Sequence, residues 1–235
     1  MTAPPARIAL PIGAVKICGL REPAHARAAA LAGADLLGMI FAPARRQVTA
    51  ETAAACIQAA RTAAPARRIL AVGVFVNATA EELNRTAMVA GLDLLQLHGE
   101  EDPALLDELD RPVIKGLRPV PSSTGAAVDA MIARYAAAAN APLAYLIDGY
   151  HPGHYGGTGT RADWSLVAEL ARRWPVILSG GLDAANVATA IQSVRPRAVD
   201  VSSGVETDGV KDVGKITAFV VAAKSAFHTA EWLHE

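Results

Sequence analysis

The run Val176-Ile177-Leu178-Ser179-Gly180-Gly181, then residues 184–194, then Ala198-Val199-Asp200-Val201-Ser202-Ser203-Gly204, decides how this chain folds. Two short runs rich in β-branched residues flank a stretch of helical length and composition, and each run stops at small polar residues and glycine. Asp183 stands where an N-cap would open the intervening helix. The three pieces read as strand, helix and strand.

Working outward, the same alternation recurs along the chain. Strands are expected at 15–18, 36–41, 70–76, 92–97, 113–117 and 144–147, besides 176–178 and 198–201. Helical stretches are expected at 24–32, 50–63, 80–90, 103–109, 123–138, 165–172, 184–194 and 213–228. Thr79 precedes Glu82 by three residues, the spacing of a capping box. Gly33 and Gly91 directly follow Ala-rich helices, where a C-terminal cap sits. Eight strand–helix units in 235 residues fit one α/β domain, a single parallel eight-stranded (β/α)8 TIM barrel, a fold of about 250 residues. The count favours closure over an open sheet. The barrel is expected over 15–230 as the catalytic domain, with 1–14 as an N-terminal extension.

Composition narrows the function classes. Lys+Arg (22) and Asp+Glu (23) nearly cancel, so there is no basic excess to draw nucleic acid or an anionic membrane. The two cysteines, Cys18 and Cys56, lack CxxC or metal-ligand spacing, which speaks against a disulfide framework or a zinc site. No stretch approaches the roughly 20 apolar residues of a membrane span, and residues 1–13 lack a signal-peptide core. A soluble cytoplasmic protein is expected.

Barrel active sites form at the C-terminal ends of the strands. The polar residues expected there are Cys18, Arg45 or Arg46, Asn77, His98, Lys115, Asp148 and three glycine-bearing loops. Those loops are Gly156-Gly157-Thr158-Gly159, Gly180-Gly181 and Ser203-Gly204. Each alone reads better as a tight turn. Three at successive strand ends point to a phosphate site, to which a short helix after the eighth strand would add its positive end. No GxxxxGK[ST] sequence is present, so a nucleoside-triphosphate loop is unsupported.

Position leaves other readings open. Cys18 is a catalytic base or a buried inert thiol; Lys16, two residues earlier on the same strand face, would favour thiolate. Asp148 is a partly desolvated acid or a loop cap. Gln96 and His98 share one strand face with Leu94, and His98 alone reads better as structural. Arg46 is a carboxylate clamp or a solvated loop arginine.

The motifs Val15-Lys16-Ile17-Cys18-Gly19-Leu20, Gly33-Ala34-Asp35 and Gly73-Val74-Phe75-Val76-Asn77 then continue in order through Gln96-Leu97-His98-Gly99 and Tyr155-Gly156-Gly157-Thr158-Gly159. Ser179-Gly180-Gly181-Leu182, Asn186-Val187, Asp200-Val201-Ser202-Ser203-Gly204-Val205-Glu206, Gly209, Lys211-Asp212 and Lys215-Ile216 close the series. Over about 15–219 the chain resembles phosphoribosylanthranilate isomerase, the isomerase of tryptophan biosynthesis. The resemblance implies an Amadori rearrangement of N-(5-phosphoribosyl)anthranilate to the 1-(carboxyphenylamino)-1-deoxyribulose 5-phosphate ketose. It implies Cys18 as general base, Asp148 as general acid, and Lys16, Arg46, Gln96 and His98 as substrate-binding residues. It also implies phosphate binding at Gly156, Gly157, Gly180, Gly181, Ser203 and Gly204. It implies no metal and no cofactor, a small phosphoribosyl substrate as the partner, and a monomer or a homodimer.

This sequence departs from the family in two places. The family usually has Ser-Pro-Arg after the second strand, with one more residue after the Phe; here the run is Phe41-Ala42-Pro43-Ala44-Arg45-Arg46-Gln47-Val48, leaving both Arg45 and Arg46 as candidates for the anthranilate side. Ala162 stands where a Phe is usual. Indole-glycerol-phosphate synthase would need a Lys and Glu constellation that is not found. The histidine-pathway isomerase would need aspartates where Cys18 and Lys115-Gly116 stand. A non-catalytic phosphosugar-binding barrel would have no need of both Cys18 and Asp148.

Overall fold

The structure, a computed structural model, describes residues 9–149 and 162–230. Eight parallel strands close into a barrel in sequence order: β1 (Ala14–Cys18), β2 (Leu36–Ile40), β3 (Leu70–Phe75), β4 (Leu94–Leu97), β5 (Val113–Leu117), β6 (Ala144–Ile147), β7 (Val176–Leu178) and β8 (Ala198–Val201). The helices are α1 (Pro23–Ala32), α2 (Ala50–Ala63), α3 (Ala80–Ala90), α4 (Gly125–Ala136), α5 (Trp164–Ala171), α6 (Val187–Val194) and α7 (Val213–His228). The eight-stranded closed barrel expected from the alternation is therefore the observed fold. Closure pairs β1 with β8, setting Lys16 opposite Asp200.

Short polar caps fix where helices begin. Thr49, Thr79, Thr124, Asp163 and Asp212 each accept a hydrogen bond from a backbone N–H of the first turn of α2, α3, α4, α5 and α7. Such a cap contributes about 1 kcal/mol by satisfying an otherwise orphaned donor. Thr79 and Glu82 form the complete capping box, and Gly33 and Gly91 adopt the left-handed backbone after α1 and α3.

Two local expectations are corrected. Residues 103–109 form a 3-10 helix, Pro103–Glu108, instead of an α-helical stretch. Pro103 cannot donate a backbone hydrogen bond, and six residues are too few to repay an α-helical nucleus. In the run 184–194, α6 begins only at Val187, because Asp183 Oδ1 accepts from the N–H of Ala185 and Asn186 and holds those residues in a turn.

Side-chain alternation divides the barrel into two cores. Outward-facing strand residues such as Ile17, Leu37, Leu95 and Val199 pack under the helices. Inward-facing Ala14, Leu36, Leu70, Val72, Leu94, Ile114, Ala144, Leu146, Ile177 and Ala198 fill the lower barrel, joined from before β1 by Leu10. Leu10 is 2 % exposed, and Arg197 grips its carbonyl oxygen through Nε (2.9 Å) and Nη2 (2.7 Å). The N-terminal opening is thus closed by an apolar plug, and the next residues up the same faces of β1, β4, β6, β7 and β8 are polar. Truncating Leu10 to Ala is expected to lower unfolding free energy by about 2–3 kcal/mol in denaturant titration. Leu31→Ala, at a 55 % exposed position, should change it by less than about 0.5 kcal/mol.

Candidate active site

Above the plug, the interior positions read Lys16 and Cys18 on β1, Gln96 and His98 on and after β4, Asp148 after β6, Ser179 after β7, and Asp200 and Ser202 on and after β8. All except Ser202 are buried. Lys16 Nζ donates to Asp200 Oδ1 at 2.9 Å, and Ser179 Oγ donates to Asp200 Oδ2 at 3.0 Å. Burial opposes the Lys16 charge, yet Asp200 and Cys18 together hold its ammonium above the ordinary lysine value.

Cys18 Sγ and Lys16 Nζ converge over Gly38, where a Cβ would stand 2.8 Å from the sulfur and 3.0 Å from the nitrogen. Only a residue without a side chain leaves both groups that space. The expectation that Lys16 favours thiolate is met in sign but not in sum. Burial pushes the Cys18 thiol up, Asp200 adds to that, and the pull of Lys16 and Lys211 offsets only part of it.

On the far side, His98 Nε2 lies 3.6 Å from Asp148 Oδ2, and Gln96 Nε2 lies 3.1 Å from His98 Nδ1. Asp148 Oδ1 also accepts from the N–H of Gly149 at 2.8 Å. His98 needs Gly116 behind it, since any Cβ there would overlap its ring. Asp148 borders a cavity lined also by Gly180, Gly181, Ser203 and Gly204. Gly180 (φ 88°) and Gly181 (φ 64°) hold backbone angles that favour glycine, and Asn186 Nδ2 ties the Gly181 carbonyl at 2.9 Å. Gly204 packs so closely on the Leu182 carbonyl that a side chain would collide with it. Gly156 and Gly157 lie outside the described residues.

Lys115, expected at the site mouth, turns away from the barrel axis. Its Nζ donates to Glu101 Oε2 (2.6 Å) and to the carbonyls of Gly99 (2.7 Å) and Leu97 (3.2 Å), 5.3 Å from the centre of the Tyr135 ring. Glu101 Oε1 accepts from the N–H groups of Asn77 and Gly99, both at 2.9 Å. This buried pair shapes the loop that follows His98. Leaving either charge without the other would cost several kcal/mol.

Arg46 and Arg45 both meet Glu206. Arg46 donates through Nε (2.6 Å) and Nη2 (2.8 Å), Arg45 through Nη2 (2.9 Å), and Lys211 Nζ adds a contact of 3.0 Å. The Arg46 side chain is 9 % exposed and that of Arg45 54 %, which distinguishes the two candidates: Arg46 lies inside, Arg45 on the rim. Asp200, Glu206 and Lys211 were quoted in the motif series without a role. Two signals mark them: Asp200 shares the inward face of β8 with Ala198, and Asp208-Gly209 is a hairpin signal between Glu206 and Lys211. The hairpin exists as β9 (Glu206–Thr207) and β10 (Val210–Lys211), with left-handed backbone at Asp208 and Gly209.

The family model for N-(5'phosphoribosyl)anthranilate (PRA) isomerase matches residues 15–222. The chain belongs to the phosphoribosylanthranilate isomerase family. The isomerase family indicated by the motif series is thereby the family found. The N-(5'-phosphoribosyl)anthranilate isomerase of Roseiflexus castenholzii is 48 % identical over 215 residues, covering 90 % of this chain and 98 % of that one. The solved structure of monomers of the dimeric family enzyme from Thermotoga maritima aligns with a TM-score of 0.72 and 32 % identity, over 90 % of this chain and 98 % of that one. A family member solved with reduced 1-(o-carboxyphenylamino)-1-deoxyribulose 5-phosphate aligns with a TM-score of 0.73 and 33 % identity, with the same coverage. Among the described residues, no helix is long and apolar enough to cross a membrane, and no group of three or more His, Cys, Asp or Glu is placed to hold a metal ion.

Burial alone would raise the Glu206 carboxyl, but Arg46, Lys211 and Arg45 override it and hold it down at about 2, against an ordinary 4.5. A carboxyl lowered on folding stabilises the fold above its unfolded value, and that stability drains away as pH falls from about 4.5 toward about 2. Thermal unfolding midpoints of the wild type should fall through this window. In Glu206→Gln, the decline over the same window should be shallower.

Proposed function

We propose that this chain catalyses the Amadori rearrangement of N-(5-phosphoribosyl)anthranilate in tryptophan biosynthesis, with Cys18 as general base and Asp148 as general acid. The observation that carries the proposal is the placement of Cys18 and Asp148, at the ends of β1 and β6, on the inward face of one barrel mouth. The glycine loops after β7 and β8 border Asp148, in the cavity where a substrate phosphate would sit.

In this reading the 5-phosphate rests against Gly180-Gly181 and Ser203-Gly204, with Gly156 and Gly157 of the sequence following β6 as further contributors. The ring carboxylate faces Arg46, while Lys16, Gln96 and His98 bind across the sugar. Asp148 gives its proton to the furanose ring oxygen, and the C1–O bond breaks as the anilino nitrogen lone pair forms the iminium. Cys18, as thiolate, takes the C2 proton, and the C2–H electron pair moves into the C1–C2 bond to give the enolamine. Protonation at C1 with loss of the enol proton leaves the ketone at C2. The substrate's own nitrogen is the electron sink, so the resemblance calls for neither metal nor cofactor. A thiol held high by burial is scarce as thiolate but a strong base once formed. The closeness of Lys16 counters part of that scarcity.

Residues 15–230 serve as the catalytic domain in this reading, with 1–14 as an extension and the cytoplasm as the compartment. The dimeric Thermotoga relative supports counting a homodimer, beside the monomer, as a working assembly. Cys18→Ser and Asp148→Asn should each cut turnover by at least about a hundredfold, followed by the fluorescence loss of phosphoribosylanthranilate. Both variants should bind the reduced product analogue within about tenfold of wild type. Full activity in Cys18→Ala would overturn the base assignment.

A further inference from the structure

We infer that Glu206, carried by the β9–β10 hairpin, is a positioning residue that sets the orientation of Arg46 for the substrate's ring carboxylate. The inference rests on the placement of that carboxylate at Arg46 in the proposed function.

Glu206 is an anion in a site built to receive anions, so its presence needs a physical reason. Its side chain is 6 % exposed, and its two oxygens accept from three cations. Arg45, Arg46 and Lys211 carry three positive charges and Glu206 one negative, so the cluster keeps an excess of two. By charge alone, removing Glu206 would make the site more attractive to a carboxylate.

The geometry gives Glu206 another role. It takes the Nε–Nη2 edge of Arg46 in a bidentate pair, the arrangement that fixes the plane of a guanidinium. A guanidinium has five N–H donors. Two go to Glu206, which leaves one on Nη2 and both on Nη1, the end-on edge, for a second carboxylate. Below it, the Arg46 stem crosses Gly19 so closely that a Cβ there would stand 2.6 Å from Cδ. Gly19 directly follows Cys18, so the fixed guanidinium lies next to the proposed base.

The hairpin holds Glu206 in place in turn. Lys211 is its cross-strand neighbour, and Lys211 Nζ also donates to the Ser202 carbonyl at 2.7 Å. Arg45 Nη1 donates to the Gly209 carbonyl at 2.6 Å, and Lys215 Nζ donates to the Glu206 carbonyl at 2.7 Å. Glu206 is thus anchored from the end of β8, from α7 and from the loop after β2.

The test compares two ligands, reduced 1-(o-carboxyphenylamino)-1-deoxyribulose 5-phosphate and its counterpart with an unsubstituted anilino ring, on wild type, E206Q and R46A. Wild type should prefer the carboxylated ligand. In E206Q that ligand should bind about tenfold more weakly, the anilino ligand should be little changed, and the kinetic loss should fall mainly in KM. The same loss should appear in the double variant E206Q/R45M, whose cluster carries the wild-type excess of two charges. This second variant also keeps the test decisive if the extra positive charge unfolds E206Q. Unchanged or tighter binding of the carboxylated ligand by the folded E206Q or E206Q/R45M protein would overturn the inference. If R46A keeps the carboxylate preference, the placement of the ring carboxylate at Arg46 fails instead, and the inference falls with it. If R46A loses the preference while E206Q keeps it, the positioning role alone fails.

Discussion

Lys16 and Asp200 sit opposite each other across the seam where the first and last strands of the barrel meet, and water reaches neither freely. A buried charge without its partner costs several kcal/mol, so closure of the sheet and survival of this pair are one event. The upper barrel follows from it. Ser179 is recruited as the second donor to Asp200, while the Cys18 thiol sits beside the Lys16 ammonium over the bare backbone of Gly38. A Cβ at Gly38 would have to displace the sulfur, the ammonium or both.

The same strands that carry these polar groups carry the apolar plug beneath them. Ala14, Lys16 and Cys18 lie on one face of β1; Ala198, Asp200 and Ser202 follow the same line along β8. The lower residue of each set belongs to a close-packed core, and on β8 the upper ones, Asp200 and Ser202, line the cavity of the glycine loops. The burial that raises the Cys18 thiol is a consequence of this stacking, since the floor of the site is dry hydrocarbon. Around the rim the chain spends charges freely. Glu101 with Lys115 fixes the loop after His98, and Glu206 with Arg45, Arg46 and Lys211 ties the β9–β10 hairpin to the loop after β2.

Much of this was legible in the sequence because it is written in local periodicity. Strands and helices came within a residue or two of their observed ends wherever a glycine or a Thr or Asp cap marked the boundary. The departures came where local chemistry competed with helix formation, at Pro103 and at Asp183. In the site, Cys18, His98 and Asp148 were found because each ends an apolar run. Asp200 was passed over although it lies on the inward face of its strand, because an acid inside an apolar run shows no purpose until its lysine appears. Glu206 was passed over because its partners Arg45 and Arg46 stand some 160 residues away.

The sequence by itself determined the eight-fold alternation, the closed parallel barrel and the family, since each depends on spacing along the chain and on motifs in fixed order. Only the tertiary structure decided that Arg46 lies inside and Arg45 on the rim, that Lys115 leaves the site, and that Cys18 is held as a thiol more firmly than its lysine neighbour implied. Those outcomes depend on distances between strands and on how completely water is excluded, and neither quantity is carried by neighbours in the chain.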